Sequence, residues 1–278
     1  MQHLSSLTAP PPEAKEPSVL VPTMGALHDG HATLIRAARE IAGAGGSVLV
    51  SIFVNPLQFD RPSDLAGYPR TLESDLALCR DLGADIVFTP HAEEFYAPDH
   101  SIKVSESLLS RGLCGSSRPG HFDGVCTVVL KLFSALQPSA AVFGKKDYQQ
   151  LAIIRRLVRD LAIPVEIHGI ETVREQNGLA LSSRNSGLSP AHHTDAARIN
   201  RALHAARDLR SNGEQRCEVY LEAARHHLLH EAPPGMRIDY LELVDRDTLQ
   251  PLSTVTGPAL LATAIFYDDV RLIDNVEM

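Results

Sequence analysis

The chain lacks several features that mark common classes of binding protein. It has no tryptophan, and only 5% of its 278 residues are aromatic. The usual platform on which nucleic-acid bases stack is therefore missing. Acidic residues outnumber basic residues by 34 to 26, and the net charge of −8 argues against broad binding to nucleic acid or to anionic membranes. We expect neither a nucleic-acid nor a membrane partner.

The sequence also shows no stretch typical of a targeting peptide or a membrane anchor. Residues 1–18 have neither the basic nor the apolar region of a signal peptide. The charge-free run from Ile41 to Phe59 is interrupted by glycines and by Pro56, which is typical of a buried strand with flanking turns and not of a membrane span. Four dispersed cysteines without a CxxC pair indicate free thiols, and we therefore expect a cytoplasmic location.

Three common catalytic motifs are absent as well. The sequence contains no HExxH, GxSxG or GxxxxGK[ST] motif, and no cysteine has the surroundings of a nucleophile. If the protein catalyses a reaction, we expect the attacking group to belong to a substrate.

Alternating short apolar runs and helical patterns predict an α/β fold. The predicted strands are Val19–Val21, Val48–Val54, Ile86–Phe88, Ala140–Phe143 and Val165–Ile170. The predicted helices between them are His31–Ala42, Leu72–Leu82, Val125–Leu136 and Gln149–Leu161. Strands that are apolar throughout are buried on both faces, and their alternation with helices indicates a parallel sheet with right-handed crossovers.

The pattern changes after about Thr172. Residues 189–211 predict one long helix, with Ser189 as its N-cap and Pro190 at its first position. A second helix over Cys217–His230 precedes three predicted strands, Ile238–Val244, Ala259–Ile265 and Arg271–Ile273. We therefore predict two domains, residues 1–173 and a smaller α+β domain over residues 174–278.

The run PTMGALHDGH, residues 22–31, follows the first predicted strand and opens the first predicted helix. It places His28 and His31 at a helix N-terminus, where unpaired N–H groups and the helix dipole attract phosphate. Gly25 and Gly30 let the backbone approach a ligand closely. Taken alone, the histidine pair is also compatible with an ordinary surface position, or with a metal site that would need a third ligand.

Three further segments carry polar groups suited to chemistry. Gln58 follows the second predicted strand, and Gly144, Lys145 and Lys146 follow the fourth. Ligands of parallel sheets bind beyond the carboxyl ends of the strands, where these segments would converge. Ser182, Ser183 and Arg184 lie near the domain junction, and an arginine there suits bidentate contact with phosphate. The glycine-rich segment Arg111–Gly124 is predicted to be an ordinary surface loop, with a mobile cover over the site as the alternative.

Together, PTMGALHDGH, FVNPLQF, FGKKDYQQL and LSSRN closely resemble the pantoate–β-alanine ligase family, with YPRT, RPGHFDGV, DYLELVD and RLIDN adding to the match. The resemblance runs from about Val19 to Asn275. It implies a Rossmann-like, doubly wound parallel sheet with a smaller C-terminal domain that closes over the site. It also implies a homodimer, and a reaction in which ATP, pantoate and β-alanine give pantothenate, AMP and pyrophosphate through pantoyl adenylate.

The resemblance further implies the roles of individual residues. Catalytic roles fall to His28, His31, Lys146 and Arg184, and Gln58 and Gln150 would bind pantoate, with Gln58 also facing β-alanine. The implied ATP-binding residues are Met24, Gly25, Ala26, Leu27, His28, Asp29, Gly30, His31, Gly144, Lys145, Lys146, Asp147, Val173, Leu181, Ser182, Ser183 and Arg184. ATP chemistry implies Mg²⁺ bridging the phosphates, with its protein ligands unassigned.

Two departures from the family pattern bear on these roles. Lys145 stands where relatives often have glutamate, which would make the phosphate end more positive. Glu73 and Asp75 are separated by Ser74 where relatives can carry adjacent aspartates, so a direct protein ligand for Mg²⁺ is not indicated. Two other functions stay open: a nucleotidyl transferase acting on a phosphorylated acceptor, and a nucleotide-binding regulator without catalysis.

Overall fold

A computed structural model describes residues 1–6, 13–60 and 62–278 of the chain, without the side chain of Ser63. The proline cluster Pro10–Pro12 lies outside the described residues. The chain divides into two compact units. The first unit contains residues 1–107, 118–145 and 150–171, and the second contains residues 108–117, 146–149 and 172–278. The predicted boundary between residues 173 and 174 stays a prediction.

The helices of the described residues are mostly connections between strands. In chain order they are α1 (Asp29–Ala42), α2 (Pro62–Ala66), α3 (Leu72–Asp81), α4 (Ala92–Phe95), α5 (Leu113–Ser117), α6 (His121–Leu136), α7 (Tyr148–Asp160), α8 (Pro190–Asp195), α9 (Arg198–Asp208) and α10 (Cys217–Leu229). Short 3₁₀ turns cover Pro56–Gln58, Lys145–Asp147, Ser183–Gly187 and Leu209–Asn212. No helix in the described ranges has both the length and the apolar character needed to cross a bilayer.

A parallel sheet of six strands forms the centre of the first unit, as far as it is described. Its strands are β1 (Gln2–Leu4), β2 (Ser18–Thr23), β3 (Ser47–Ile52), β4 (Ile86–Phe88), β5 (Ala140–Gly144) and β6 (Glu166–Ile170). They lie in the order β1-β4-β3-β2-β5-β6. Strand order therefore reverses beside β2, which creates the switch point where such sheets bind ligands.

The central strands are buried on both faces, as their apolar sequences predict. Val19 and Val21 pack with Ile35 and Ala38 of α1 on one face. Leu20 points the other way and is equally inaccessible, with an exposed fraction of 0%. Because successive side chains of a strand alternate between faces, apolar residues at consecutive positions require cover on both sides. The predicted α/β class is confirmed.

An antiparallel sheet of three strands organises the described part of the second unit. It consists of β7 (Met236–Asp245), β8 (Ala259–Tyr267) and β9 (Val270–Glu277), in that order. Helices α9 and α10 cover it, with Leu203 and Tyr220 in the same apolar cluster as Leu261 and Ile265. The predicted small α+β unit is confirmed, although its strands are longer than expected.

The single long helix predicted over residues 189–211 is wrong. The start is as expected, because Ser189 Oγ accepts the N–H of His192 and Pro190 is the first helical residue. The helix is then interrupted at Ala196 and Ala197, whose ψ angles of −19° and −18° are close to 3₁₀ values. The N–H of Ile199 accordingly bonds to the carbonyl of Ala196, three residues back. Alanine favours helix, so nothing in the local sequence marks this break.

Candidate active site

The turn between β2 and α1 presents two imidazoles at a helix N-terminus. His28 is the N-cap of α1, and its Nδ1 accepts the N–H of Gly30 at 3.1 Å. Nδ1 of His31 accepts the N–H of His28 at 3.3 Å. An imidazole nitrogen that accepts a hydrogen bond carries no proton, so in each neutral ring the proton is on Nε2. The two ring centroids lie 4.2 Å apart, at a helix N-terminus where the helix dipole favours an anion.

Asp75 in the first turn of α3 holds this turn in shape. Its Oδ2 accepts the N–H of Ala26 and its Oδ1 accepts the N–H of Leu27, each at 2.9 Å. The carboxylate is almost inaccessible, with an exposed fraction of 3%. Gly25 has a φ of +83°, and a Cβ there would lie 3.0 Å from Oδ2 of Asp75. The conformation thus requires glycine at position 25 and a two-oxygen acceptor at position 75.

The loop after β3 places Gln58 beside that turn. Asn55 is fully buried; its Oδ1 accepts the hydroxyl of Tyr96 at 2.9 Å and its Nδ2 donates to Oε1 of Gln58 at 3.0 Å. Nε2 of Gln58 donates to Sδ of Met24 at 3.0 Å. The structure therefore brings together two segments that are far apart in sequence, the histidine turn and the Gln58 loop.

The third polar segment follows β5. β3, β2 and β5 are neighbours and parallel, so their carboxyl ends lie along one edge, as predicted. Lys145 forms an ion pair with Glu171, whose side chain is 81% exposed, so part of the positive charge expected at this end of the site is offset. Gln150 is half-buried in the first turn of α7, and no hydrogen bond within the described ranges joins it to Gln58.

A second group of predicted residues comes together within the second unit. Nζ of Lys146 donates to the carbonyl of Leu181 at 3.3 Å, and the N–H of Leu181 donates to the carbonyl of Val173 at 2.9 Å. Oγ of Ser182 accepts the N–H of Arg184 and caps the 3₁₀ turn that carries Ser183 and Arg184. Lys146 is thus tied to the segment in which the predicted ATP-binding residues after position 172 lie.

Strand β9 anchors this second group. Nδ2 of Asn275 donates to the carbonyl of Lys146 at 2.9 Å. The neighbouring residue Asp274 is 3% exposed, and its carboxylate accepts a hydrogen bond from each terminal nitrogen of Arg174, at 2.6 and 2.9 Å. This bidentate pair fixes the chain next to Val173. Asp274 and Asn275 belong to the motif RLIDN, which the sequence marks only by its resemblance.

Sequence reasoning missed several residues that shape the site. Asp75 and Asn55 are buried polar residues whose partners are backbone groups and side chains distant in sequence, and their letters give no sign of this. The expected surface loop over residues 111–124 is also wrong: Leu113 and Cys114 are buried in α5, and His121 and Phe122 are buried in α6. Helix α5 has only five residues, and residues 121–124 are the first turn of α6, so neither stretch is long enough to show an apolar period.

No resident metal site is found among the described residues. No group of three or more histidine, cysteine, aspartate or glutamate side chains lies together there. Asp75, a candidate ligand by its position after YPRT, already uses both oxygens on backbone N–H groups. The four cysteines are free and buried, and burial raises the pKa of Cys79 to about 11 and of Cys126 to about 12. Burial therefore disfavours the thiolate form of Cys79 and Cys126.

Comparison with known proteins gives a consistent result. A family model described as pantoate-beta-alanine ligase matches residues 2–277. The pantothenate synthetase of Akkermansia muciniphila is 56% identical over 260 residues, which cover 94% of this chain and 92% of that protein. The crystal structure of pantothenate synthetase from Thermus thermophilus matches with a TM-score of 0.91 and 43% identity over 99% of both chains. That of pantoate-beta-alanine ligase from Francisella tularensis, complexed with beta-gamma ATP and beta-alanine, matches with a TM-score of 0.75 and 32% identity over 99% of this chain and 97% of that one.

Proposed function

The chain belongs to the pantoate–β-alanine ligase family, and from that premise we propose how its residues divide the work of the reaction. The protein is an AMP-forming ligase that condenses pantoate with β-alanine at the expense of ATP. The observation that carries the assignment is the convergence of three polar segments on adjacent strand ends, with the amide of Gln58 bonded to Met24 of the histidine turn.

The reaction has two steps that each form one bond and break one. In the first, a carboxylate oxygen of pantoate attacks the α-phosphorus of ATP, and the bond from that phosphorus to the bridging oxygen breaks to release pyrophosphate. In the second, the uncharged amine of β-alanine attacks the acyl carbon of pantoyl adenylate. The acyl–oxygen bond breaks, AMP leaves with that electron pair, and the nitrogen gives up one proton to solvent as the amide forms. Aligning two bound reactants contributes roughly 7–11 kcal/mol to lowering such barriers.

We assign the phosphate groups to the histidine turn. The Nδ1 atoms of His28 and His31 accept backbone N–H groups at the N-terminus of α1, so the proton of each neutral ring is on Nε2, the atom that we assign to the phosphates. These donors, together with the helix dipole, stabilise negative charge on the α-phosphate as the pentavalent transition state forms. Lys146 and Arg184 supply the permanent positive charge that stabilises the departing pyrophosphate.

The remaining nucleotide contacts are assigned to both units. In the first unit they are the backbone of residues 24–31 with Gly144 and Lys145. In the second unit they are Lys146, Asp147, Val173, Leu181, Ser182, Ser183 and Arg184. Support comes from the bonds within the second unit, which tie Lys146 to Leu181 and Leu181 to Val173.

We assign pantoate to two neutral amides, Gln58 and Gln150, with Gln58 also serving β-alanine. The carboxylate of pantoate is the nucleophile of the first step, and a cation bound tightly to it would reduce its reactivity. An amide can instead orient the carboxylate and the hydroxyls with one donor and one acceptor. A phosphorylated acceptor would need cationic partners in place of these amides, and the relatives that match this chain are pantothenate synthetases. The nucleotidyl-transferase alternative is therefore not favoured.

We propose that Mg²⁺ arrives with the phosphates of ATP. Mg²⁺ commonly keeps several waters and is bound through substrate phosphates. This fits a site in which the buried carboxylate of Asp75 already accepts two backbone N–H groups. We also propose a cytoplasmic location, since the four cysteines are free thiols. The homodimer implied by the resemblance and the domain boundary at residues 173–174 remain proposals, which sedimentation velocity and limited proteolysis test.

The test of the reaction is AMP release from ATP with pantoate alone, β-alanine alone, and both together. We expect turnover only with both substrates, and exchange of pyrophosphate into ATP with pantoate alone. Exchange without pantoate, or AMP release only with a phosphorylated acceptor, would overturn the assignment. ATP binding without AMP release under any combination would instead support the regulator.

A further inference from the structure

The first turn of α6 packs directly against the peptide bond between Leu57 and Gln58. A Cβ on Gly124 would lie 2.3 Å from the carbonyl oxygen of Leu57 and 2.7 Å from the nitrogen of Gln58. Such distances are far below van der Waals contact, so only glycine allows this approach. Nδ2 of Asn55 donates to the carbonyl of Gly124 at 3.0 Å and ties the same turn to the start of the loop.

The carbonyl oxygen of Gln58 is held by two side chains from the same region. Nδ1 of His121 lies 2.7 Å from it and Nη2 of Arg118 lies 3.2 Å from it. Nη1 of Arg118 lies 3.1 Å from Nε2 of His121. A guanidinium can only donate, so Nε2 of His121 must accept. The proton of the neutral ring is therefore on Nδ1, which donates to Gln58.

Arg118 also reaches the far side of the loop. Its Nε faces Oδ1 of Asp60 at 3.4 Å. One guanidinium thus contacts the backbone of Gln58 and the side chain two residues later, while it fixes the tautomer of His121. His121 is 8% exposed, so its bond to Gln58 is shielded from competing water.

We propose that Arg118 and His121 are positioning residues that fix the backbone of Gln58 and thereby aim its amide at pantoate and β-alanine. The side-chain amide of Gln58 is bracketed by Asn55 and Met24. Its position therefore depends on where the loop places the Cα of Gln58. The inference rests on the role proposed above for Gln58. It assigns a function to the motif RPGHFDG, which contains no residue to which we have given a catalytic or binding role.

The test compares two variants of His121, one without and one with a hydrogen-bond donor for the carbonyl of Gln58. His121→Leu keeps an apolar side chain of moderate size but removes the donor. His121→Asn retains a donor, because the asparagine Nδ2 occupies about the place of the histidine Nδ1. The exposed His91 in the same unit provides the matched control, His91→Leu. For each variant we would measure kcat, the KM values for all three substrates and the thermal transition.

We expect His121→Leu to raise KM for pantoate and β-alanine about tenfold, the loss equivalent to one net hydrogen bond. KM for ATP should stay within about twofold, and His121→Asn should recover most of the affinity. The inference is overturned if His121→Leu folds and leaves the two KM values unchanged, if KM for ATP rises equally, or if His121→Asn recovers nothing. If His121→Leu does not fold, Arg118→Met, which removes the second donor to Gln58, must show the same selective effect. Wild-type protein that does not turn over pantoate and β-alanine would overturn the proposed function and, with it, this inference, whereas unchanged KM values in the variants of an active protein would overturn the inference alone.

Discussion

Replacing Asp75 by asparagine tests how the histidine turn is held. The carboxylate and the amide have nearly the same shape, so the substitution changes chemistry and leaves packing intact. Each carboxylate oxygen accepts one backbone N–H, from Ala26 and from Leu27, at 2.9 Å. An asparagine side chain has one oxygen and one NH₂ group. Whichever way the amide is turned, one of the two N–H groups then faces a donor.

The magnitude follows from the burial of the site. Asp75 is 3% exposed, so water cannot replace the lost acceptor. A hydrogen bond to a charged group contributes about 1.5–3 kcal/mol, and a buried donor left without a partner costs about 1–3 kcal/mol. We therefore expect Asp75→Asn to lower the free energy of unfolding by roughly 2–3 kcal/mol. Because the turn carries His28 and His31, a displacement of about 1 Å would also lower the rate of adenylate formation by up to roughly 10²-fold.

The measurements are urea denaturation and pantoate-dependent exchange of pyrophosphate into ATP. Asp81→Asn on the same helix removes the same charge at an exposed position and should change the free energy of unfolding by less than about 0.5 kcal/mol. The reasoning fails if Asp75→Asn is as stable as Asp81→Asn and exchanges pyrophosphate at the wild-type rate. In that case the two hydrogen bonds would contribute nothing to the turn.

Three further outcomes are expected. Lys146→Ala should slow pyrophosphate exchange by about 10²–10³-fold, equivalent to roughly 3–4 kcal/mol of transition-state stabilisation, and activity within twofold of wild type would remove Lys146 from the mechanism. Gln58→Ala should raise KM for pantoate and β-alanine and leave ATP affinity, measured by calorimetry, nearly intact; a large loss of ATP binding would contradict its assignment. Gly124→Ala should destabilise the protein by about 1–3 kcal/mol in urea, although alanine ordinarily stabilises a helix interior by about 1 kcal/mol, because its Cβ would overlap the Leu57 carbonyl. Gly45→Ala, where a Cβ meets nothing within 4 Å, is the control, and a stabilised Gly124→Ala would refute the close packing of α6.

The secondary structure was predictable wherever one apolar pattern dominated. Strands β2 to β6 lie within a few residues of their predicted positions, because runs such as Val48–Val50 can only be buried on both faces. The short edge strand β1 was missed, since three residues with a histidine among them carry no periodicity. The break between α8 and α9 was missed for the opposite reason, because its alanines favour the helix that they interrupt.

The chemical identity of the site was determined by the sequence. The sequence places two histidines after a glycine turn, Gln58 after a second strand, and a lysine and Gln150 after a third. The order of strands and helices is enough to predict that these segments lie along one edge of the sheet. These residues also carry the resemblance to the family.

Only the tertiary structure decided how those residues are held. The two N–H groups of the histidine turn find their acceptor in Asp75, nearly fifty positions later, and the carbonyl of Gln58 finds His121 sixty-three positions later. Lys145, expected to add positive charge, is partly compensated by Glu171 on the neighbouring strand's end. A sequence shows which groups can donate or accept, but a buried donor must be paired by whatever group the fold brings within about 3 Å. That pairing depends on the folded path of the chain, which local patterns do not contain.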